Sequence, residues 1–188
     1  MEIKMENLVN LIFEAGLLKK LPRSGYSFLG NGNESVAEHS FIITVIAYIL
    51  AKLNPEADEK KIVFMALFHD LPESRTGDIN YVQRKYVEKD EKKAVQDIVR
   101  GLFFGSEIEN FIEEFNEKET LEAKLANDAD QLAFIADLKI LQDKGAKKTS
   151  MWIEAVKKRL VTEHGVSLAN KITEADSDQW WLENYVDA

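Results

Sequence analysis

The sequence contains no cysteine. That absence removes a disulfide framework, a thiolate zinc site and a cysteine nucleophile together, and it fits a reducing compartment. Proline occurs 3 times and glycine 9 times in 188 residues. So few chain breakers argue against a many-turned β-sandwich or barrel and favour long helices. Positive charge is also short: 24 Lys and Arg face 33 Asp and Glu, for a net charge of −9. A polyanion such as duplex DNA meets a repulsive field, so long nucleic acid is not an expected partner. A small anion in a pocket is not excluded, because one fixed Arg outweighs distant charge screened over ~10 Å. No apolar run approaches the ~20 residues of a membrane span. The longest, 41–51, carries Thr44 and Tyr48. The opening MEIKMENLVNLIF mixes charge into its apolar residues and does not read as a signal peptide. The expected location is the cytoplasm, with no membrane partner.

What is present is an ordinary globular balance, 45% hydrophobic and 30% charged. The length suits one domain with a real core. Helical spacing of apolar residues runs from 4 to 20, through Leu8, Leu11, Ile12, Ala15 and Leu18. A long loop follows over 21–35, holding Pro22 and three glycines; ordered loops of that length are often functional. Ser35, with Glu38 three residues on, predicts a capping box and a helix to about 53. Asn54-Pro55 is the expected start of the next helix, which Pro72 stops. Short or amphipathic helices are expected over 81–87, 89–104 and 107–116. Thr120 begins a long helix to about 144, with Gly145 at the C-cap. Segments 149–163, 167–175 and one around Trp180 complete the chain. No segment keeps a period of two. The expectation is an all-α single domain over 1–188, with a motif-bearing core of about 8–145 and a helical extension over 146–188.

Histidine occurs only at 39, 69 and 164. His39, Ile42, Ile46, Ile49 and Leu53 fall on one helical stripe, and Ile62, Ala66 and His69 on another, with Met65 beside them. A polar ring on a buried face needs a partner or a metal. A satisfied core histidine is the plain explanation for one such ring. Two of them, the second followed by Asp70, are harder to explain by packing. The long helix adds Asp128, Asp130 and Asp137 to an otherwise apolar stretch. Asp128 and Asp130 lie about 200° apart on a helix and cannot serve one site; spacing alone does not choose between them. Two imidazoles with one or two carboxylates form an N/O ligand set without sulfur. That set suits one divalent transition metal, Mn²⁺, Fe²⁺, Co²⁺, Ni²⁺ or Zn²⁺, rather than Ca²⁺.

The motifs AEHSF, FHDLPES, GDI and NDADQL, in this order, resemble the HD-domain metal-dependent phosphohydrolases. LKKLPRSGY and NGNESVAEHS upstream, and ETLEAKLANDADQL downstream, are similar to the 5′-deoxynucleotidase (YfbR-like) branch. The resemblance spans about 8–141. It implies metal ligands at His39, His69, Asp70 and Asp130, catalytic acids at Glu73 and Asp78, and a phosphate contact at Arg23. The implied activity is hydrolysis of deoxynucleoside 5′-monophosphates to deoxynucleoside and phosphate. The chemistry of the residues agrees: phosphate-ester hydrolysis needs a metal, a cation on the phosphate and a carboxyl group to move protons. Glu73 is the expected acid/base, and Asp78 the group that orients water or a sugar hydroxyl. One departure is Ser24, where the bacterial branch has an aromatic residue that helps select the sugar. Relatives of this kind are commonly dimeric, so a homodimer is implied.

Two other readings compete. The same site could act on a triphosphate, a cyclic nucleotide or guanosine tetraphosphate. The cyclic-dinucleotide motif is missing, and the extra histidines of the di-iron oxygenases are missing too. Alternatively the chain is a non-catalytic helical module with a structural metal, although a closed site has no need of Glu73 and Asp78. On their own, Glu73 and Asp78 read equally as helix caps and Arg23 as a surface charge. Arg75 and Arg84 read as solvated charge, Asp137 as a ligand-supporting or packing group, and His164 as surface. Trp180, Trp181 and Tyr185 are expected to pack the C-terminal segment or a subunit contact, and Phe103 and Phe104 to be core or interface.

Overall fold

Helix formation follows the caps. In the computed structural model, which describes residues 4–185, the elements are α1 (Met5–Leu17), α2 (Tyr26–Leu29), α3 (Val36–Leu53), α4 (Glu59–Phe68) and α5 (Glu73–Thr76). They continue as α6 (Glu91–Val99), α7 (Gly105–Glu117), α8 (Leu121–Asp143), α9 (Thr149–Lys157), α10 (Glu163–Glu174) and α11 (Gln179–Tyr185). Single 3₁₀ turns occupy Leu18–Lys20 and Gln83–Lys85. Among the described residues there is no strand, only an antiparallel bridge between Pro22 and Ser35. The ends of the expected 1–188 unit, residues 1–3 and 186–188, lie outside the described residues.

The capping box at Ser35 forms as the sequence predicts. Ser35 Oγ accepts from the Glu38 N–H at 3.2 Å, and the Glu38 carboxylate accepts from the Ser35 N–H at 2.7 Å. Such caps are worth ~1 kcal/mol. The start of α4 differs from expectation. Asn54 spends its side chain on the Leu50 carbonyl, closing α3, and Asp58 caps α4 by accepting from Lys61 N–H. Pro72 does not simply stop the chain. It leads through a turn into the short α5.

Helices α3, α4 and α8 form the centre, with α9 and α10 against α8. Leu50, Ile62, Met65, Leu125, Leu132, Ile135 and Leu138 fill one core, which Ile153, Val156 and Ala169 of α9 and α10 join. A second cluster under the 18–20 turn gathers Val36, Leu71, Val95, Ile98 and Ile108. Each large side chain buried this way contributes ~1.5–3 kcal/mol.

One expected stripe is corrected. On α3 the buried side is His39, Ile43, Ile46, Ala47 and Leu50, whereas Ile42, Ile49 and Leu53 are exposed. The helix is apolar nearly all round, with mean hydropathy 1.6 over 18 residues, so periodicity cannot fix its phase. By length and composition this helix could also cross a membrane, contrary to the expectation that no run approaches a span; 44% of it is buried within the protein.

Candidate active site

Ser35 sets where α3 starts, and one turn later His39 arrives fully buried against α8. Its Nε2 lies 2.9 Å from Asp130 Oδ1. Its Nδ1 lies 3.5 Å from Glu34 Oε2, without hydrogen-bond geometry. His69 closes α4. Its Nδ1 sits 2.9 Å from the Ala66 carbonyl, and its ring packs on Phe115 at 4.4 Å between centroids. The Nδ1–H donated to that carbonyl turns Nε2 toward Asp70 Oδ1, 3.2 Å away. One ligand atom each from His39, His69 and Asp70 falls within 4.8 Å of the others, a group that could hold a metal ion.

Electrostatics mark the same point. Burial alone would lower the His69 pKa, but Asp70 and Asp130 outweigh it and raise it to about 9. Burial opposes ionisation of Asp70, yet His69, Arg23 and His39 hold it well below the usual carboxylate range. Asp130 is likewise held down at about 2, burial being overcome by His39 and His69. The cluster is built around positive charge, and its N/O donors fit a divalent transition metal.

Asp128 and Asp130 now separate. Asp130 Oδ2 accepts from Gln131 Nε2 at 2.6 Å, and Gln131 in turn takes Arg159 at 3.4 Å. Asp128 points the other way, only 1% exposed. It accepts from the Val161 N–H at 3.0 Å, the Thr162 N–H at 2.8 Å and the Thr162 hydroxyl at 2.6 Å. This buried carboxylate fixes the α9–α10 corner. It is also why α9 ends at Lys157 and α10 begins at Glu163, rather than a single helix running over 149–163.

The 21–35 loop is closed at its base. Arg23 N–H donates to the Glu34 carbonyl and Val36 N–H to the Leu21 carbonyl, both at 2.9 Å. Arg23 Nη1 thereby reaches 3.5 Å from Asp70 Oδ2, with Nε 3.9 Å from Glu34. Burial opposes its charge, and Asp70, Asp130, Asp78 and Glu34 more than restore it. Asp78 follows Gly77, whose φ of 73° favours glycine, and its Oδ2 accepts from the Ser24 N–H at 2.6 Å. Asp78 therefore ties the two loops together. Glu73 opens α5 and is buried. Desolvation first, then Asp70 and Asp78, push its pKa up to about 8.

An open cavity of about 1520 Å³ exposes Arg23, His69, Asp70, Glu73, Asp78 and Asp130 together. Four buried side-chain polar atoms lack a hydrogen-bond partner among the described residues: Ser24 Oγ, His39 Nδ1, Glu73 Oε2 and Lys89 Nζ. Ser24, Glu73 and Lys89 line this cavity, whereas His39 Nδ1 faces Glu34 at 3.5 Å. Buried polar groups are normally satisfied, so such a cluster points to a place where a ligand supplies the partners.

Sequence reasoning missed Glu34 and Lys89. Glu34 is half-buried beside His39 and Tyr26, with its pKa raised by desolvation. Tyr26 OH also donates to Asp137, which is what Asp137 does in the fold. Arg75 turns away from the site to Glu14, and Arg84 donates to the Ile79 carbonyl from the cavity wall. His164, expected at the surface, is half-buried, with Nδ1 3.0 Å from Asn54 Oδ1. Phe103 is exposed and stacks edge-on against Phe104, which joins the second cluster. Trp180, Trp181 and Tyr185 are exposed on α11.

A helical fold with a His/Asp cluster between its central helices is the architecture of the HD domain. The HD domain family model matches residues 15–171, and the chain belongs to that family. It is 30% identical over 137 residues to 5′-deoxynucleotidase HDDC2 of Danio rerio, covering 70% of this chain and 68% of that protein. It is 32% identical over 143 residues to 5′-deoxynucleotidase HDDC2 of Dictyostelium discoideum, covering 70% and 75%. A conserved hypothetical protein from Pyrococcus furiosus shares the fold with a TM-score of 0.75 and 30% identity, over 89% of this chain and 99% of that one.

Proposed function

We propose that the chain is a metal-dependent phosphoric monoester hydrolase that converts deoxynucleoside 5′-monophosphates to deoxynucleosides and phosphate. The observation that carries this reading is the cluster of His39, His69 and Asp70, with Asp130 2.9 Å from His39, beside a cavity lined by His69, Asp70, Asp130, Arg23 and Glu73. The substrate class follows the relatives named 5′-deoxynucleotidase. His39, His69, Asp70 and Asp130 would hold one divalent transition ion. When bound, that ion supplies Lewis acidity to a phosphoryl oxygen and lowers the pKa of water. Arg23 holds the phosphate by its guanidinium and restrains it for in-line attack. Glu73 exchanges a proton near neutrality, which its buried setting permits. Asp78 keeps the Arg23 loop in register through the Ser24 N–H and leaves its other oxygen for water or a sugar hydroxyl.

The reading carries with it a cytoplasmic setting, where nucleotides are found, and a homodimer. Support for the homodimer is the exposed apolar face of α3, with Phe41, Val45 and Tyr48. Light scattering at micromolar concentration tests the assembly.

The decisive assay is phosphate release by metal-stripped protein from ribo- and deoxyribonucleoside monophosphates, triphosphates and cyclic nucleotides. Mn²⁺, Co²⁺, Zn²⁺ or Mg²⁺ is added back, with His69→Ala as control. Metal-dependent release from the deoxy monophosphates, abolished in the control, is expected. Release from other nucleotides alone would keep the hydrolase and change its substrate. Silence across the panel with metal bound would overturn the reading.

A further inference from the structure

Lys89 stands outside every role given so far. It follows the 3₁₀ turn and precedes α6, in a stretch whose preceding residues, 81–88, are all exposed. Its own side chain is only 8% exposed and lines the same cavity as Arg23 and Glu73. The ammonium is 3.7 Å from Glu73 Oε1 and 3.9 Å from Glu91 Oε1. It is hydrogen-bonded to neither, and Glu73 Oε2 is orphaned as well.

A lysine is rarely buried unless it is paired, because desolvating an ammonium is expensive. A structural ion pair would close to hydrogen-bond distance. This one stops short, so both groups keep capacity for a third party. The cavity around them carries the carboxylates of Asp70, Asp130 and Asp78. A divalent ion on Asp70 and Asp130 would take up part of that charge, and the Arg23 guanidinium is already shared with Asp70 and Glu34. The other cavity-lining cations, Arg84, Lys85, Lys118, Lys124 and Arg159, are not the ones paired with Glu73. A second fixed cation on a different segment offsets the charge that remains and gives the phosphate a second point of contact.

We propose that Lys89 is a second phosphate-binding residue of this site, its Nζ–H donating to a non-bridging phosphate oxygen while Arg23 holds another. The proposal rests on the phosphohydrolase reading above. It also explains why Lys89 Nζ lacks a hydrogen-bond partner: it awaits an anion.

The test is binding of inorganic phosphate to the Mn²⁺-loaded protein, measured by calorimetry for wild type, Lys89→Met, Lys89→Gln and Lys89→Arg. Mn²⁺ affinity is measured in parallel. Loss of one charge-assisted contact predicts at least ~10-fold weaker phosphate binding in the Met and Gln variants. Lys89→Arg retains most of the affinity, and Mn²⁺ binding stays unchanged in all three. The Gln variant keeps the test open should the Met variant fold poorly. Unchanged phosphate affinity overturns the proposal. So does a parallel loss of Mn²⁺, which would make Lys89 a support of the ligand cluster, and so does a wild type that binds no phosphate. Hydrolysis of dAMP by the wild type is scored separately. Lys89-dependent phosphate binding without dAMP turnover removes the nucleotidase reading and leaves Lys89 in place.

Discussion

Replacing Asp128 by alanine should cripple the fold and spare the chemistry, the reverse of what the same change does at Asp130. Asp128 is buried and takes three hydrogen bonds from Val161 and Thr162. Thr162 uses its hydroxyl twice, donating to Asp128 and accepting from the Gly165 N–H at 3.0 Å to cap α10. Hydrogen bonds to a charged acceptor contribute ~1.5–3 kcal/mol each. Their sum is reduced by the desolvation that a buried carboxylate no longer suffers once removed. A net loss of about 3–5 kcal/mol remains, because three neutral donors are left without a partner at about 1–3 kcal/mol each. For a chain of this size that lowers Tm by roughly 10 °C. Differential scanning calorimetry of wild type, Asp128→Ala and Asp130→Ala, with and without Mn²⁺, reads it directly. Asp128→Ala melts early but keeps the Mn²⁺-induced rise in Tm. Asp130→Ala loses that rise. An Asp128→Ala protein melting within about 2 °C of wild type, or one that loses Mn²⁺ while Asp130→Ala keeps it, would refute the assignment of these neighbouring acids to opposite jobs.

Gly165→Ala should resemble Asp128→Ala in calorimetry, because a Cβ there would overlap the Asp128 carboxylate. Glu73→Gln should retain Mn²⁺ and lose at least ~100-fold in turnover, the scale of a general acid or base. The same residue sets a pH trend in metal-free protein. A carboxyl raised from an ordinary 4.5 to about 8 stays protonated in the folded state where the unfolded chain has released its proton. Folded protein therefore binds more protons, stability falls as pH rises across that window, and Glu73→Gln should flatten the fall in urea midpoints between pH 5 and 8. Tyr26→Phe removes the hydroxyl shared by Glu34 and Asp137. Burial already raises the Glu34 pKa, so that variant should be destabilised more at pH 8 than at pH 5, and equal urea midpoint losses would contradict it.

Much of this was legible because the signals were local. The Ser35/Glu38 capping box depends on four consecutive residues, and it alone places His39 one turn into α3. The opposite directions of Asp128 and Asp130 follow from helical geometry, although which one serves the site does not. The phase of α3 was illegible for a physical reason: a helix apolar nearly all round carries little periodic contrast. Glu34 and Lys89 were illegible for another. Each sits among polar or charged neighbours where solvent is the default, and only tertiary packing takes them out of it. The break between α9 and α10 likewise has its cause more than thirty residues away, in a carboxylate on α8.

The closed base of the 21–35 loop separates two design problems. Arg23 and Glu34 sit just inside the Pro22–Ser35 bridge, hydrogen-bonded to each other through the backbone. Whatever happens between them, their spacing is set by the clamp and not by the length of the intervening chain. Residues 30–33 at the far end are exposed. The residues of this loop that line the cavity are 23–26, next to the clamp, whereas 30–33 lie outside its wall. The tip of the loop can therefore vary in length while the phosphate end stays seated in a fixed socket.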